Sequence, residues 1–362
     1  MFYYLFYSLH YKFSAFNIFR YITFRAGMAA VTAFLISLIL GPLIIRKLKK
    51  LKIGENVRKE ESVKLHELNR GKQDTPTMGG LLIITAIVSS TLLWADITNR
   101  NILIVLLSTL WLGATGFADD YLKQVKKRSK GLSATAKLTS QILLGLIIGV
   151  ILLLGPRHGI TLDLPFLKNV SLDLDGLCII FIMLVIAGSS NAVNLTDGLD
   201  GLAIGIVVMV AIAFTVLCYV SGNIKFSAYL LIPYIRGGGE LTVFCASMIG
   251  AGLGFLWFNC YPASIFMGDT GSLALGGALG TVAILIKKEL LLMIVGGIFV
   301  VEALSVILQV ISFRLLKKRI FKIAPLHHHF QFLNWPENKV IVRFWIIASL
   351  LALLTLVTLK IR

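Results

Sequence analysis

Long apolar runs separated by polar segments recur along all 362 residues. Crossing a hydrocarbon core about 30 Å thick takes roughly 20 mostly apolar residues at about 1.5 Å of rise per residue. Ten stretches meet or approach that length: 26–45, 78–95, 101–118, 134–154, 176–193, 199–220, 241–258, 271–286, 290–312 and 341–360. Lipid offers no partner for a backbone amide, so the pattern predicts an all-α polytopic membrane protein with about ten transmembrane helices. An even count puts both chain ends on one side of the membrane. No internal repeat and no Pro- or Ser-rich linker divides the chain, so residues 1–362 read as a single integral-membrane domain.

Composition agrees. Hydrophobic residues make up 57% of the chain and charged ones 15%, with a mean hydropathy of +0.86. Soluble domains carry about 45–50% apolar and about 25% charged residues. A soluble enzyme, a disordered chain and a secreted disulfide scaffold are thereby excluded. The four cysteines, Cys178, Cys218, Cys245 and Cys260, lie in or beside apolar runs without metal-type spacing and read as structural thiols. Residues 1–25 hold eleven of the 37 aromatic residues and lack the basic start and cleavage site of a signal peptide. They read as an interfacial segment on the outer face, because aromatic rings favour the headgroup zone.

Charge then orients the molecule. The formal net charge is +17, from 35 Lys+Arg and 18 Asp+Glu. Segments 46–77, 119–137 and 313–340 together hold 22 of the basic residues, while the connections on the other side hold seven. The positive-inside rule makes the richer side cytoplasmic and both termini periplasmic. The cytoplasmic loops are then about 46–77, 119–133, 191–198, 259–270 and 313–340.

The acids on that side are not scattered. One run ends in Gly116-Phe-Ala-Asp119-Asp120-Tyr121, the next turn reads Asn191-Ala-Val-Asn194-Leu-Thr-Asp197-Gly-Leu-Asp200-Gly201, and a third reads Asn259 through Phe266-Met-Gly-Asp269-Thr270. Ordinary helix-end solvation explains any one of them. Three clusters on one face, ringed by basic loops, point instead to a hard divalent cation and phosphate chemistry. Magnesium uses one or two carboxylates and fills its remaining positions with water and substrate phosphate. Ala324-Pro-Leu-His327-His328-His329 is a poor zinc site, since three consecutive residues cannot face one ion from a regular element; histidines bonding phosphates fit better. Lys72-Gln-Asp74-Thr75-Pro-Thr77-Met-Gly-Gly80 reads either as a helix start capped by Thr77 or as an anion-binding turn. Gly250, Gly252, Gly254, Gly276, Gly277 and Gly280 suit close helix packing. Glu302, inside an apolar run, must face protein or a polar groove.

These motifs cover nearly the whole chain and resemble the phospho-N-acetylmuramoyl-pentapeptide transferase family, within the polyprenyl-phosphate N-acetylhexosamine-1-phosphate transferases. The aspartate motifs are shared across that superfamily. The triple-histidine loop, and Trp335-Pro336 leading into Val340-Ile-Val-Arg-Phe-Trp345, point to the muramoyl branch. The resemblance implies a ten-helix fold, commonly a homodimer, in the bacterial inner membrane, with its active site in a cytoplasmic cleft. It implies magnesium-dependent transfer of phospho-MurNAc-pentapeptide from UDP-MurNAc-pentapeptide to undecaprenyl phosphate, with release of UMP, in peptidoglycan synthesis. Carried over by motif, Asp269 is the magnesium ligand, and Asp119, Asp120 and His327 join it as catalytic residues. Asn191, Asn194, Asp197, Asp200, Asn259 and Phe266 line the uridine side. Lys72, Thr77, Lys123 and Lys127 hold phosphates or sugar, with His328 and His329 in the substrate-binding set. One departure is Asp74, where the family usually has Gly. The rival readings are a sibling transferase moving GlcNAc-1-phosphate and, from another class, an ion-coupled transporter. A transporter calls for acids near mid-membrane on broken helices, whereas these lie at span ends.

Overall fold

The computed structural model describes residues 2–7, 10–11, 13–51, 75–128, 131–155, 161–163, 171–174 and 176–360. Fourteen α-helices organise them: α1 Phe2–Tyr7, α2 Ile22–Lys50, α3 Gly80–Trp94, α4 Arg100–Gln124, α5 Ala134–Leu153, α6 Leu177–Thr196, α7 Leu202–Ser221, α8 Ile224–Leu230, α9 Leu241–Asn259, α10 Gly268–Leu285, α11 Glu289–Val295, α12 Gly297–Leu316, α13 Leu326–Phe332 and α14 Glu337–Val357. Among the described residues nine are long and apolar enough to cross a bilayer, and α3 falls short at 15 residues. One small departure from an all-helical chain lies between α5 and α6. There β1 (Thr161–Asp163) and β2 (Ser171–Asp173) pair antiparallel, with Leu162 opposite Leu172.

All ten apolar runs appear as helix, but their ends move. The run 290–312 divides at Gly296 into α11 and α12, because a Gly-Gly pair weakens helix continuity. Helix α3 begins at Gly80 rather than at a Thr77 cap: Met78 takes a left-handed φ of 73°, and Gly79 is the capping residue. Helices α4 and α6 run past the apolar stretches to Gln124 and Thr196. Asp119, Asp120, Asn191 and Asn194 are therefore helical, not in loops.

Burial separates an inner core from a lipid face. The apolar stretch of α10 is 89% buried, against 22% for α2. Helix α10 packs on α4 and α6, and α9 on α2 and α7. Glycine permits these approaches. A Cβ at Gly250 would lie 1.9 Å from the Ala30 carbonyl oxygen, and one at Gly276 2.5 Å from that of Ser189. Outside, Val31, Leu35, Ile39 and Leu43 form an exposed stripe at four-residue spacing on α2. Such a stripe is the expected solvent boundary of a helix in lipid.

The two ends of the bundle differ. At one, Arg25 at the start of α2 donates to both Glu240 carboxylate oxygens at 2.7 and 2.6 Å and to the Trp94 carbonyl at 3.2 Å. Aromatic residues of the N-terminal segment gather there: Phe2 meets Trp94 edge-on at 5.1 Å, and Phe19 stacks on the same ring at 5.9 Å. At the other end, the C-terminus of α4 meets the N-terminus of α10. That end holds Asp119, Asp120 and Asp269.

Candidate active site

Helix α4 delivers Asp119 and Asp120 on consecutive residues, about 100° apart around the axis, so the two carboxylates do different things. Asp120 turns to the start of α10. Its oxygens accept from the backbone N–H of Asp269 at 3.2 Å, the N–H of Thr270 at 2.9 Å and the Thr270 hydroxyl at 2.6 Å. A buried acid from one helix thus caps another, where orphan donors and the positive end of the helix dipole favour an anion. The approach needs Gly268, which has φ 73° and no room for a Cβ: one would lie 2.7 Å from Asp120 Oδ2 and 2.9 Å from Thr77 Oγ1. Gly116 on α4 is equally constrained, 2.1 Å from the Asp269 carbonyl oxygen by the same measure.

With α10 so fixed, Asp269 projects toward Asp119. Fully buried Asp119 takes the Leu132 N–H at 2.7 Å on one oxygen. Its other oxygen pairs with the ammonium groups of Lys123, one helical turn on, and of Lys137, the latter at 2.9 Å. Both lysines also pair with Asp269, Lys123 at 3.2 Å. Asn194 on α6 donates to Asp269 Oδ1 at 2.9 Å and to the Ser272 hydroxyl at 2.8 Å, fixing the carboxylate from its other side. Asp119, Asp120 and Asp269 offer oxygens all within 4.8 Å of one another. Three acids and two lysines are drawn together from α4, α5 and α10.

Lys137 is the member that motif reading missed. It lies in the first turn of α5, behind the Ser133 cap, which accepts the Ala136 N–H at 3.1 Å. A cation in a first turn opposes the helix dipole, so that placement already signals a facing anion.

The uridine-side candidates divide. Asn191 donates to Gln141 Oε1 at 2.7 Å within the bundle. Asp200 accepts the Ala263 N–H at 2.9 Å. Asn259 accepts the Gly201 N–H at 3.0 Å and donates to the Ile265 carbonyl at 2.8 Å. These last two stitch the turn before α7 to the loop before α10. Asp197 is half-buried in that same turn. Phe266, also half-buried, pairs by backbone with the Thr75–Gly80 segment: its N–H donates to the Pro76 carbonyl at 2.8 Å, and its own carbonyl takes the Gly79 N–H at 2.8 Å. Thr77 is thereby buried beside Gly268. Lys127 is exposed just beyond α4, and Lys72 and Asp74 lie outside the described residues. The histidines separate as well. His327 is fully buried against Glu302, His328 bonds Gln331 at 2.8 Å, and His329 accepts the Lys322 N–H at 3.1 Å.

One end of a membrane bundle thus brings carboxylates and lysines to a single point, an arrangement suited to phosphate chemistry. The model of glycosyl transferase family 4 matches residues 102–287, and signature 1 of phospho-N-acetylmuramoyl-pentapeptide-transferase matches residues 72–84. Proteins of that name are similar over the full length of both chains: 53% identical in Desulforapulum autotrophicum, 54% in Desulfotalea psychrophila and 54% in Desulfatibacillum aliphaticivorans. The chain belongs to the phospho-N-acetylmuramoyl-pentapeptide-transferase family.

Proposed function

We propose that the protein transfers phospho-MurNAc-pentapeptide from UDP-MurNAc-pentapeptide to undecaprenyl phosphate, forming the lipid-linked pyrophosphate and UMP. The observation that carries this reading is the convergence of Asp119 and Asp269 on Lys123 and Lys137, in a chain of this family. The acceptor would lie along an apolar cavity of about 340 Å³ between α6, α11 and α12. Its walls include Leu184, Met293 and Leu304, exposed at the lipid face, and Val193, next to Asn194. A polyprenyl chain entering from lipid would thus bring its phosphate toward Asp269.

The donor set fits a hard divalent ion, since Asp119, Asp120 and Asp269 offer carboxylate oxygens within 4.8 Å of one another. Magnesium would be held by Asp269 with Asp119 beside it, and when bound it supplies Lewis-acid neutralisation of the pyrophosphate. Asp120 works one step back, placing Asp269 through the first turn of α10. Lys123 and Lys137 balance the charge that collects as the bond between the two UDP phosphates breaks and UMP departs. The acceptor phosphate has a second pKa of about 6, by analogy with phosphorylated side chains, and is mostly ionised without a base. Its oxygen attacks the sugar-bearing phosphorus directly. A two-step route through an aspartyl-phosphate sugar is the competitor. Direct attack is favoured because the ionised acceptor phosphate is already a nucleophile and needs no covalent relay through the protein.

The acidic end faces the cytoplasm in this proposal, supported by the 22 basic residues of three segments on that side. The bacterial inner membrane and a homodimer complete it, on the strength of the family resemblance. The test is purified protein with both substrates, following UMP with and without magnesium. Release should require the metal, and Asp269→Asn should abolish it with the fold intact. Near-native turnover in that variant would overturn the assignment. Replacing the donor by UDP-GlcNAc separates the sibling activity.

A further inference from the structure

Glu302 lies in the second turn of α12, fully buried between the apolar neighbours Val301 and Ala303. A carboxylate in such surroundings is retained only where something binds it. Its partner is His327, at the start of α13. The His327 backbone N–H donates to one carboxylate oxygen at 3.0 Å, and ring Nδ1 lies 3.1 Å from the other. Against a carboxylate, which only accepts, Nδ1 is the donor, and in the neutral ring Nε2 then presents a lone pair. That Nε2 is buried without a hydrogen-bond partner among the described residues. It faces Gly198, where a Cβ would fall 2.3 Å away. Gly198 sits between Asp197 and Asp200 in the turn joining α6 to α7. On the same turn of α12, Val300, Ala303 and Leu304 line the apolar cavity.

We propose that Glu302 is a positioning residue for the donor-substrate side of the site. It holds His327 in the Nδ1–H form and seats the ring against Gly198, so that the Asp197–Asp200 turn stays on the uridine side of the donor. This rests on the function proposed above. It also explains why an acid sits in a membrane helix: one side of α12 borders the groove for the lipid acceptor, while Glu302 anchors the wall that serves the nucleotide donor.

Glu302→Gln tests the idea with little change of shape. One amide oxygen can take the His327 backbone N–H, but the amide NH₂ then faces Nδ1 and drives the ring to the Nε2–H form. Histidine-selective ¹⁵N spectra, assigned by comparison with His327→Gln, should show a bare Nε2 in the wild type and a protonated one in Glu302→Gln. The KM for UDP-MurNAc-pentapeptide should rise about tenfold, with that for undecaprenyl phosphate little changed. In a double-mutant cycle, Glu302→Gln should add no further rise in KM to Gly198→Ala, as coupled residues behave. Equal rises in both backgrounds, a wild-type KM in Glu302→Gln, or a protonated Nε2 in the wild type would each overturn the proposal. If Glu302→Gln misfolds, Gly198→Ala presses on the same ring and should produce the same selective rise in KM; an unchanged KM there sinks the idea. Failure of the wild type to release UMP would refute the assigned reaction and leave the tautomer result standing.

Discussion

The two adjacent aspartates of α4 have the same chemistry and opposite assignments. Asp119 faces two lysines, whereas Asp120 takes three donors from the first turn of α10. Asp120→Ala should strand those donors in a buried place, at about 1–3 kcal/mol for each group left unsatisfied. A lowered thermal midpoint and lost turnover together would mark that role; lost turnover at an unchanged midpoint would contradict it. Lys137 answers to the opposite test. Its partners are the Asp119 and Asp269 carboxylates, so Lys137→Met should cost on the order of a hundredfold in kcat, as loss of one preorganised charge partner does. Motif reading singled out both aspartates and Asp269 because carboxylates at span ends are conspicuous. It missed Lys137, one basic residue among the six of segment 119–137, because only the packing of α5 on the bundle selects it.

At the level of helices, position depends on close approach. Gly116 lets α4 touch the first turn of α10, and Gly250 lets α9 touch α2. Adding a methyl at either place overpacks the bundle, at about 1–3 kcal/mol. The consequences should differ. Gly116→Ala displaces Asp269 relative to Asp119, so kcat for UMP release should fall even in protein that remains folded. Gly250→Ala presses on the Ala30 carbonyl among the spans, and should lower the thermal midpoint while the folded fraction keeps its KM values. Equal kinetic damage from both would show that the site has no privileged contact at Gly116. The apolar runs announced the helices because run length alone matters in lipid. They misjudged the helix ends, since Gln124 and Thr196 extend helices that hydropathy stops earlier. The break at Gly296 was equally invisible to hydropathy.

For the whole molecule, +17 is an uneven charge, with 22 of the 35 basic residues in segments 46–77, 119–137 and 313–340. A field of that sign gathers an anionic nucleotide substrate and is screened by salt. Raising ionic strength should therefore raise the KM for UDP-MurNAc-pentapeptide while leaving that for the membrane-dissolved acceptor nearly constant. A parallel rise in both would assign the loops to orientation alone.

By itself the sequence determined the solvent, the class and the inventory. Backbone amides cannot go unpaired in lipid, so length and apolarity of the runs suffice to specify a helical bundle. The clustering of Asp119, Asp120 and Asp269 at span ends, among basic loops, pointed to phosphate chemistry. Tertiary structure alone decided how that inventory is used. Asp200 and Asn259 join two turns, Lys137 bridges two carboxylates, and Glu302 holds His327 from 25 residues away. Each pairing depends on the rotation and register of one helix against another, set by packed side chains and glycine contacts, and no local pattern along the chain encodes it.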